Sequence, residues 1–298
     1  MSLASLNQQF GLSDKLQFIE YKDGFPIADI STELCQAKIA LQGAQVFEWT
    51  PANAAPLIWV SDAAQFSLGK ALRGGIPICW PWFGAHPYDD ALPAHGFVRT
   101  SMWTVTSSAL LDDGRIQLAF EYLNSVEENR DWPYAVRLQL TLLIGQSLDL
   151  QLTTHNLDTQ SIEISEALHT YFHIGDIKQT HVTGLENTDY LDKPDNFARK
   201  TQQGPITFST ETDRIYVDTA NDCVIHDIPA QRQIIIRKQG SQSTVVWNPW
   251  QEKSAGMSDM KEDSYLSMLC VETANAADNT ITIAPNGQHH LLVNYRLA

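Results

Sequence analysis

Three successive segments of the chain alternate strictly between apolar and polar residues. Residues 116–122 read I-Q-L-A-F-E-Y, residues 136–142 read V-R-L-Q-L-T-L, and residues 148–152 read L-D-L-Q-L. A period of two places the apolar side chains on one side of a β-strand and the polar ones on the other. Turn sequences, D-D-G at 112–114 and G-Q at 145–146, bound these runs. We therefore predict an antiparallel sheet with one face on a core.

The remainder of the chain also favours strands over helices. Short strand-like runs follow one another, and no long amphipathic helix is predicted. Residues 1–15 are predicted as a short helix or an arm, Gly43 as a bend in a strand, and residues 177–208 as long loops. No linker or shift in composition divides the chain. We therefore predict an all-β protein with two large packed sheets, forming one domain over residues 1–298.

The totals of the chain exclude several classes of protein. A formal net charge of −15 is the opposite of the basic patch that nucleic-acid binding requires. It also means that an anionic substrate needs arginines close to it. The chain begins without the pattern of a signal peptide and contains no apolar run of about 18 residues, so we expect a cytoplasmic protein with no membrane partner. The four scattered cysteines are predicted as free buried thiols, and the absence of heptads favours a monomer.

A histidine-rich segment is the first candidate for a functional site. Residues 164–175, I-S-E-A-L-H-T-Y-F-H-I-G, are predicted as a strand because they are rich in β-branched and aromatic residues. His169, Tyr171 and His173 then share one face and line a polar pocket, or else are half-buried rings with satisfied hydrogen bonds. A metal site through the two histidines would need a helix, and the H-E-x-x-H motif needs glutamate where Thr170 stands. We therefore predict no metal.

Two carboxylates are further candidates. Glu272 follows the apolar run 268–271, and burial there would raise its affinity for protons, which suits a general base. Alternatively, the strand ends before Glu272 and the carboxylate is solvated. Asp213, in E-T-D-R-I-Y, is a candidate for binding a substrate hydroxyl or for pairing with Arg214.

Two loops carry candidate arginines. Residues 73–84, R-G-G-I-P-I-C-W-P-W-F-G, contain glycines and prolines that exclude a regular helix, and their apolar character predicts a rigid loop packed on the body. Arg73 begins this loop, and Arg99 ends the segment H-G-F-V-R. Arginine matches phosphate oxygens in a bidentate manner, although either residue could instead be structural. Beside His95, Gly96 predicts a close approach of the backbone.

Together these residues carry a resemblance to a known family. The chain resembles the aldose 1-epimerase (galactose mutarotase-like) superfamily, and more closely its hexose-6-phosphate mutarotase branch, also called glucose-6-phosphate 1-epimerases. The resemblance extends over nearly the whole chain. Its segments are R-G-G-I-P-I-C-W-P-W-F-G at 73–84, H-G-F-V-R at 95–99, A-L-H-T-Y-F at 167–172, C-V-E-T-A-N at 270–275 and, more weakly, T-D-R-I-Y at 212–216.

The resemblance implies a fold, an activity and residue roles. The fold is a galactose mutarotase-like β-supersandwich of large antiparallel sheets, with a sugar cleft across one sheet. The activity is the interconversion of the α and β anomers of a hexose 6-phosphate, without a metal or other cofactor. By motif position, His169 resembles the general acid and Glu272 the general base, meeting across the sugar. The residues that resemble substrate-binding positions are Arg73, Arg99, Asp213 and His95.

One departure from the family pattern is visible. Ala94 precedes His95, where some members place a glutamine that contacts the substrate. We therefore expect that contact to be absent or supplied by another residue.

Other classes of protein remain open at this point. A mutarotase acting on free aldohexoses would share the acid and the base. A non-catalytic carbohydrate-binding protein would use exposed tryptophans, for which Trp80, Trp82, Trp247 and Trp250 are the candidates. A glycosidase would pair Asp213 with Glu272, and a cupin-like protein would hold a metal.

Overall fold

Strands dominate the computed structural model, which describes residues 1–125, 127, 129 and 131–298. The prediction of an all-β protein is confirmed. The helices are α1 Leu3–Phe10 and α2 Trp250–Gly256, and the strands are β1 Leu16–Glu20, β2 Pro26–Ser31, β3 Cys35–Ala40, β4 Val46–Pro51, β5 Ile78–Cys79, β6 Thr104–Leu110, β7 Ile116–Asn124, β8 Val136–Ile144, β9 Leu148–Asn156, β10 Ile162–Ile164, β11 Glu166–Leu168, β12 Tyr171–His173, β13 Thr180–Thr183, β14 Asp189–Asp192, β15 Ala198–Thr201, β16 Ile206–Thr207, β17 Thr212–Tyr216, β18 Cys223–Asp227, β19 Arg232–Gln239, β20 Ser243–Asn248, β21 Met268–Asn275, β22 Ile281–Ile283 and β23 Gln288–Leu297.

Two large antiparallel sheets form the body of the protein. The nine-stranded sheet has the order β16-β13-β18-β19-β23-β9-β8-β7-β6. The eight-stranded sheet has the order β15-β14-β17-β20-β21-β11-β5, and β12 also pairs with β21. A four-stranded sheet, β1-β2-β3-β4, and a ribbon of β10 and β22 complete the fold. The large packed sheets that the sequence predicts are therefore present.

The three alternating segments become β7, β8 and β9, which are neighbours in the nine-stranded sheet. Phe120 lies opposite Leu140, which lies opposite Leu152, and all three are fully buried. The polar residues between them are only half-buried. The period of two thus assigns both the strands and their faces correctly.

Each strand of the eight-stranded sheet has an inner face and an outer face. Along β21, Leu269 and Val271 belong to the main core, which also contains residues of the nine-stranded sheet. The ring of Phe172 on β12 meets Tyr295 of β23 edge to face, with centroids 5.2 Å apart. Met268 and Cys270, the alternate residues of β21, lie in a separate apolar cluster on the outer face. The outer face is therefore turned away from the main core.

The structure differs from the sequence-based expectation in the region 177–208. Long loops were predicted there, and this prediction is wrong because β13, β14, β15 and β16 lie within it. These strands have two to four residues and mixed burial. Such short, polar strands at sheet edges have no periodic apolar pattern to identify them.

Several smaller expectations can also be compared with the structure. The helix predicted within residues 1–15 is α1, and the bend predicted at Gly43 separates β3 from β4. All four cysteines are buried and free, as predicted. The expectation of exposed tryptophans is wrong for three of the four, which are buried: Trp80, Trp82 and Trp247. No helix in the described part of the chain is long and apolar enough to cross a membrane.

Candidate active site

The outer face of the eight-stranded sheet brings most of the candidate residues together. Asp213 of β17 lies opposite Trp247 of β20, which lies opposite Cys270 of β21, which lies opposite Tyr171 of β12. Glu272 is two residues beyond Cys270, so its side chain points to the same side of the sheet. A row of polar and aromatic side chains therefore crosses four adjacent strands on this face.

His169 reaches this row because the strand that carries it is interrupted. The prediction of one strand over residues 164–175 is wrong, since β11 ends before His169 and β12 begins after Thr170. The backbone N–H of His169 donates to the carbonyl of Pro77 at 3.0 Å, and that of Tyr171 donates to Gly75 at 2.9 Å. The loop beginning at residue 73 thus supplies hydrogen bonds that a continuous sheet would have made. The rings of His169 and Tyr171 stack at 4.8 Å, 10° from parallel, so these two do share a side as predicted.

Glu272 lies within β21 and contacts His169 directly. All eight residues of β21 are buried, and Glu272 is only 1% exposed. The alternative of a solvated carboxylate is therefore excluded. Glu272 Oε1 lies 3.5 Å from His169 Nε2, closer than the predicted meeting across a sugar. Among the described residues, Glu272 Oε2 and His169 Nδ1 have no hydrogen-bond partner.

Burial controls the protonation of this pair. Desolvation raises the pKa of the Glu272 carboxyl well above its usual value, and the charge of Asp213 adds to that shift. Desolvation lowers the pKa of the His169 imidazole well below its usual value, and nearby positive charges add to that shift. Both directions favour an uncharged pair with its proton on Glu272. The sequence-based expectation was the reverse, with a carboxylate and an imidazolium.

Arg73 is anchored beside the pair. Its Nε donates to Asp259 Oδ2 at 3.0 Å, and its Nη1 donates to the Tyr171 hydroxyl at 3.1 Å. The side chain is 25% exposed. These bonds orient the guanidinium and use two of its five N–H groups, which leaves the two N–H groups of Nη2 and one of Nη1 to bind a ligand.

Arg99 and His95 come from one tight loop. A Cβ atom on Gly96 would lie 1.8 Å from the Trp80 carbonyl oxygen, which confirms the predicted close approach. His95 Nδ1 accepts a hydrogen bond from the backbone of Gly84 at 3.3 Å, and its ring lies 5.5 Å from that of His169. Arg99 Nη2 donates to the Ala94 carbonyl at 2.7 Å, but within the described residues Arg99 has no carboxylate partner.

Positive charge collects around His95. Burial, followed by the charges of Arg99, Lys193 and Arg73, lowers the pKa of His95 to about 3. His95 is therefore a neutral ring at physiological pH.

Asp213 has a partner that the sequence did not predict. Its Oδ2 lies 3.0 Å from Lys193 Nζ, and the side chain of Lys193 is 45% exposed. Arg214, the expected partner, instead donates to Gln202 and covers the ring of Tyr190. Lys193 thus adds a third cation to the two candidate arginines.

A cavity of about 850 Å³ adjoins this site, but neither His169 nor Glu272 lines it. His173 lines the cavity, together with Trp59, whose ring stacks on Tyr171 at 5.9 Å. His173 lies opposite Met268 and so shares the outer face with Tyr171, as predicted, but it lines this adjoining cavity.

Comparison with known proteins identifies the family. The sequence pattern of the aldose 1-epimerase family matches residues 27–296, which is most of the chain. The chain belongs to the aldose 1-epimerase family. The resemblance read from the sequence segments is thereby confirmed.

Individual members of the aldose 1-epimerase family are similar over most of their length. A protein of Escherichia coli (strain K12) is 36% identical over 264 residues, which are 88% of this chain and 87% of that protein. A protein of Cenchrus ciliaris is 37% identical over 260 residues, covering 84% and 78%. Both carry the name "Putative glucose-6-phosphate 1-epimerase".

A solved structure has the same fold. The crystal structure of a "putative mutarotase" from Salmonella typhimurium superposes with a TM-score of 0.90 at 31% identity, covering 97% of this chain and 95% of that one. The predicted galactose mutarotase-like sandwich is confirmed.

Sequence reasoning missed three polar residues of this candidate site. Lys193 lies in the polar region that was predicted as loops, and a lysine there has no local signature. Asp259 precedes β21 in an unremarkable turn. Cys270 was read only as a buried thiol, although the period of two in β21 already places it on the face of Glu272.

Proposed function

We propose that this protein interconverts the α and β anomers of a hexose 6-phosphate, by acid–base opening and closing of the sugar ring. The observation that carries the proposal is the contact of His169 Nε2 with Glu272 Oε1 at 3.5 Å, in a pair that is almost fully buried. Such a pair holds one proton and one site that can accept a proton. That is what a reaction requires when it removes one proton and adds another.

The reaction opens a cyclic hemiacetal. In the proposed sequence Glu272 accepts the proton of the anomeric hydroxyl while His169 donates a proton to the ring oxygen, and the bond from that oxygen to the anomeric carbon breaks. Rotation of the aldehyde presents its other face, and the two groups then reverse their roles. Both sugar oxygens are bonded to the same carbon, so an acid and a base in mutual contact suit them. Each positioned group contributes roughly 100- to 10,000-fold.

The proposed sequence starts with Glu272 as a carboxylate and His169 as an imidazolium, whereas burial favours the uncharged form of each. Burial lowers the pKa of His169, and the charges of His95, Arg99 and Arg73 add to that lowering. A phosphate carries about −1.5 to −2 charges and, bound near these arginines, would offset their effect. The pKa of His169 would then rise, which favours the imidazolium that acts as the acid.

Three cations support the choice of a phosphorylated sugar. The surroundings of His95 contain three cations, Arg73, Arg99 and Lys193. The protein as a whole has a net charge of −15, so this positive charge is confined to the site. Arg99 lacks a carboxylate partner among the described residues, which leaves its charge free for a ligand. Each hydrogen bond to a charged group contributes roughly 1.5–3 kcal/mol.

The test is anomer exchange measured by NMR. Magnetisation transfer between the α and β signals is compared for glucose, galactose and mannose 6-phosphates and for the free sugars, with and without the protein. We expect exchange above the buffer rate for at least one hexose 6-phosphate, and a slower rate for its free sugar. Faster exchange of a free sugar would favour a mutarotase for free aldohexoses. Binding without any exchange would leave a carbohydrate-binding protein and contradict the proposal.

A further inference from the structure

A thiol lies beside the acid–base pair. One nitrogen of His169, the Sγ atom of Cys270 and one carboxylate oxygen of Glu272 all lie within 4.8 Å of one another. Cys270 is fully buried between Trp247 and Tyr171, its neighbours across β20 and β12. No step of the proposed reaction uses this thiol.

We propose that His169, Cys270 and Glu272 form an inhibitory binding site for Zn²⁺ or another borderline-soft divalent cation. Imidazole, thiolate and carboxylate are the three ligand types that zinc takes in proteins, with bonds of about 2.0–2.3 Å. Tetrahedral geometry then places ligand atoms roughly 3.4 Å apart. The 3.5 Å separation of His169 Nε2 and Glu272 Oε1 matches this value. Hard cations such as Mg²⁺ and Ca²⁺ prefer all-oxygen sites and should not bind.

A buried polar atom without a hydrogen-bond partner supports a ligand at this position. Glu272 Oε2 is buried, and no described residue donates a hydrogen bond to it. A buried carboxylate oxygen without a donor is costly, and coordination of the cation by both carboxylate oxygens, Oε1 and Oε2, would remove that cost. Glu272 and Cys270 are both on the outer face of β21, so the strand geometry itself aims them at the same space. On binding, the Cys270 thiol and the Glu272 carboxyl each release a proton to solvent and coordinate as the thiolate and the carboxylate.

Three protein ligands leave the fourth position of zinc for a water molecule or another ligand. Zinc held there would occupy the lone pairs with which His169 and Glu272 exchange protons. Inhibition therefore rests on the proposed function, whereas zinc binding does not. A binding measurement without any sugar separates the two claims.

The experiment is a titration of the chelator-treated full chain with Zn²⁺ by calorimetry, and with Co²⁺ by absorption spectroscopy. We expect one strong site per chain and a thiolate-to-cobalt charge-transfer band. Cys270→Ala should weaken zinc binding at least about 10-fold and abolish the band. Even residues that only hydrogen-bond to a metal ligand typically lower the metal affinity about 10- to 100-fold when they are replaced. Cys223→Ala is the matched control, because Cys223 is an equally buried thiol on β18 of the other sheet. That variant should bind like the wild type.

The outcomes that overturn the inference are distinct. Absence of strong zinc binding, or equal binding by Cys270→Ala and the wild type, would remove the site. If Cys270→Ala does not fold, as judged by thermal unfolding, Glu272→Gln replaces it and should show the same loss. Zinc should also abolish wild-type anomer exchange, with recovery on adding a chelator, and the activity of Cys270→Ala should resist zinc. Activation by zinc would contradict inhibition.

Discussion

Two histidine–glutamate pairs, each with a buried glutamate, lie on opposite faces of the eight-stranded sheet. His169 and Glu272 meet on the outer face, at 3.5 Å. His289 of β23 and Glu166 of β11 meet on the inner face, at 3.0 Å, where the two large sheets pack together. Both glutamates are almost completely buried, and each has one carboxylate oxygen, Oε2, without a partner among the described residues.

The pairs differ in what surrounds the other oxygen. Glu166 Oε1 also accepts a hydrogen bond from Asn275 Nδ2 at 3.0 Å, whereas Glu272 Oε1 has only the longer contact with His169. Burial opposes a charge on His289, but the hydrogen bond to Glu166, its charge and the Gly240 carbonyl outweigh burial and raise the pKa of His289. The pKa of His169 is lowered. The surroundings of the inner pair thus favour a charged His289, whereas the outer pair has fewer hydrogen bonds and its surroundings favour a neutral His169.

The largest expected effect is that of Glu272→Gln on activity. Removing the proton acceptor should slow hexose 6-phosphate anomer exchange by about 100- to 10,000-fold. Stability should be unchanged or higher, because the buried carboxyl is poorly satisfied. NMR exchange and chemical denaturation measure the two quantities. A substantial rate in a well-folded variant would show that the outer pair is not catalytic.

Glu166→Gln should show the opposite behaviour. Breaking a buried charged pair typically costs about 3–5 kcal/mol, so the free energy of unfolding should fall by roughly that amount. The molecules that remain folded should still exchange anomers, since Glu166 lies behind the sheet. Denaturant titration at one pH provides the measurement. A Glu166→Gln variant that is stable but inactive would contradict a structural role for the inner pair and a catalytic role for the outer pair alone.

Arg99→Ala tests a positive charge that acts on the outer pair, His169 and Glu272, and not on the inner pair. Loss of one charged hydrogen bond, roughly 1.5–3 kcal/mol, should raise the KM for the sugar phosphate by about 10- to 100-fold. The KM for the free sugar should change little. Arg237→Ala is the control, because Arg237 lies on the nine-stranded sheet with an exposed side chain. Equal losses for both sugars would contradict a phosphate contact by Arg99.

The smallest effect concerns pH and the inner pair. Because the pKa of His289 is raised on folding, its charge stabilises the protein fully below about pH 6.5, and this contribution disappears as pH rises through the folded-state pKa. His289→Gln keeps a neutral polar group there. The stability difference between wild type and variant should therefore be largest below about pH 6.5 and shrink at alkaline pH, as measured by denaturation on both sides. A difference that grows with pH would exclude a charged pair.

The strands of the fold were predictable from the sequence where one face of a strand is buried and the other is accessible to solvent. β7, β8 and β9 follow from their alternation, because period two has a direct physical cause. The interruption at His169 was not predictable, since its hydrogen bonds go to Pro77 and to other residues far along the chain. β13 to β16 were missed for the same reason, because their partners and not their own residues determine them.

The candidate site was predictable where motifs carry it. His169, Glu272, Arg73 and His95 lie near one another in the structure as their segments suggested. Lys193 was missed, since only the folded chain brings it to Asp213. The position of the proton was also beyond the sequence, because it depends on burial that strand pattern alone does not quantify.

The eight buried residues of β21 also limit how this protein can change over evolutionary time. Deleting one residue before Glu272 would turn its carboxylate into the main core and Val271 toward the outer face, so that both side chains would be misplaced at once. Single substitutions along this strand change one side chain at a time and can be tolerated. Insertions and deletions there move several side chains to the wrong face and should not be tolerated. Length variation among descendants should therefore accumulate in loops such as residues 85–94 and leave this strand at constant length.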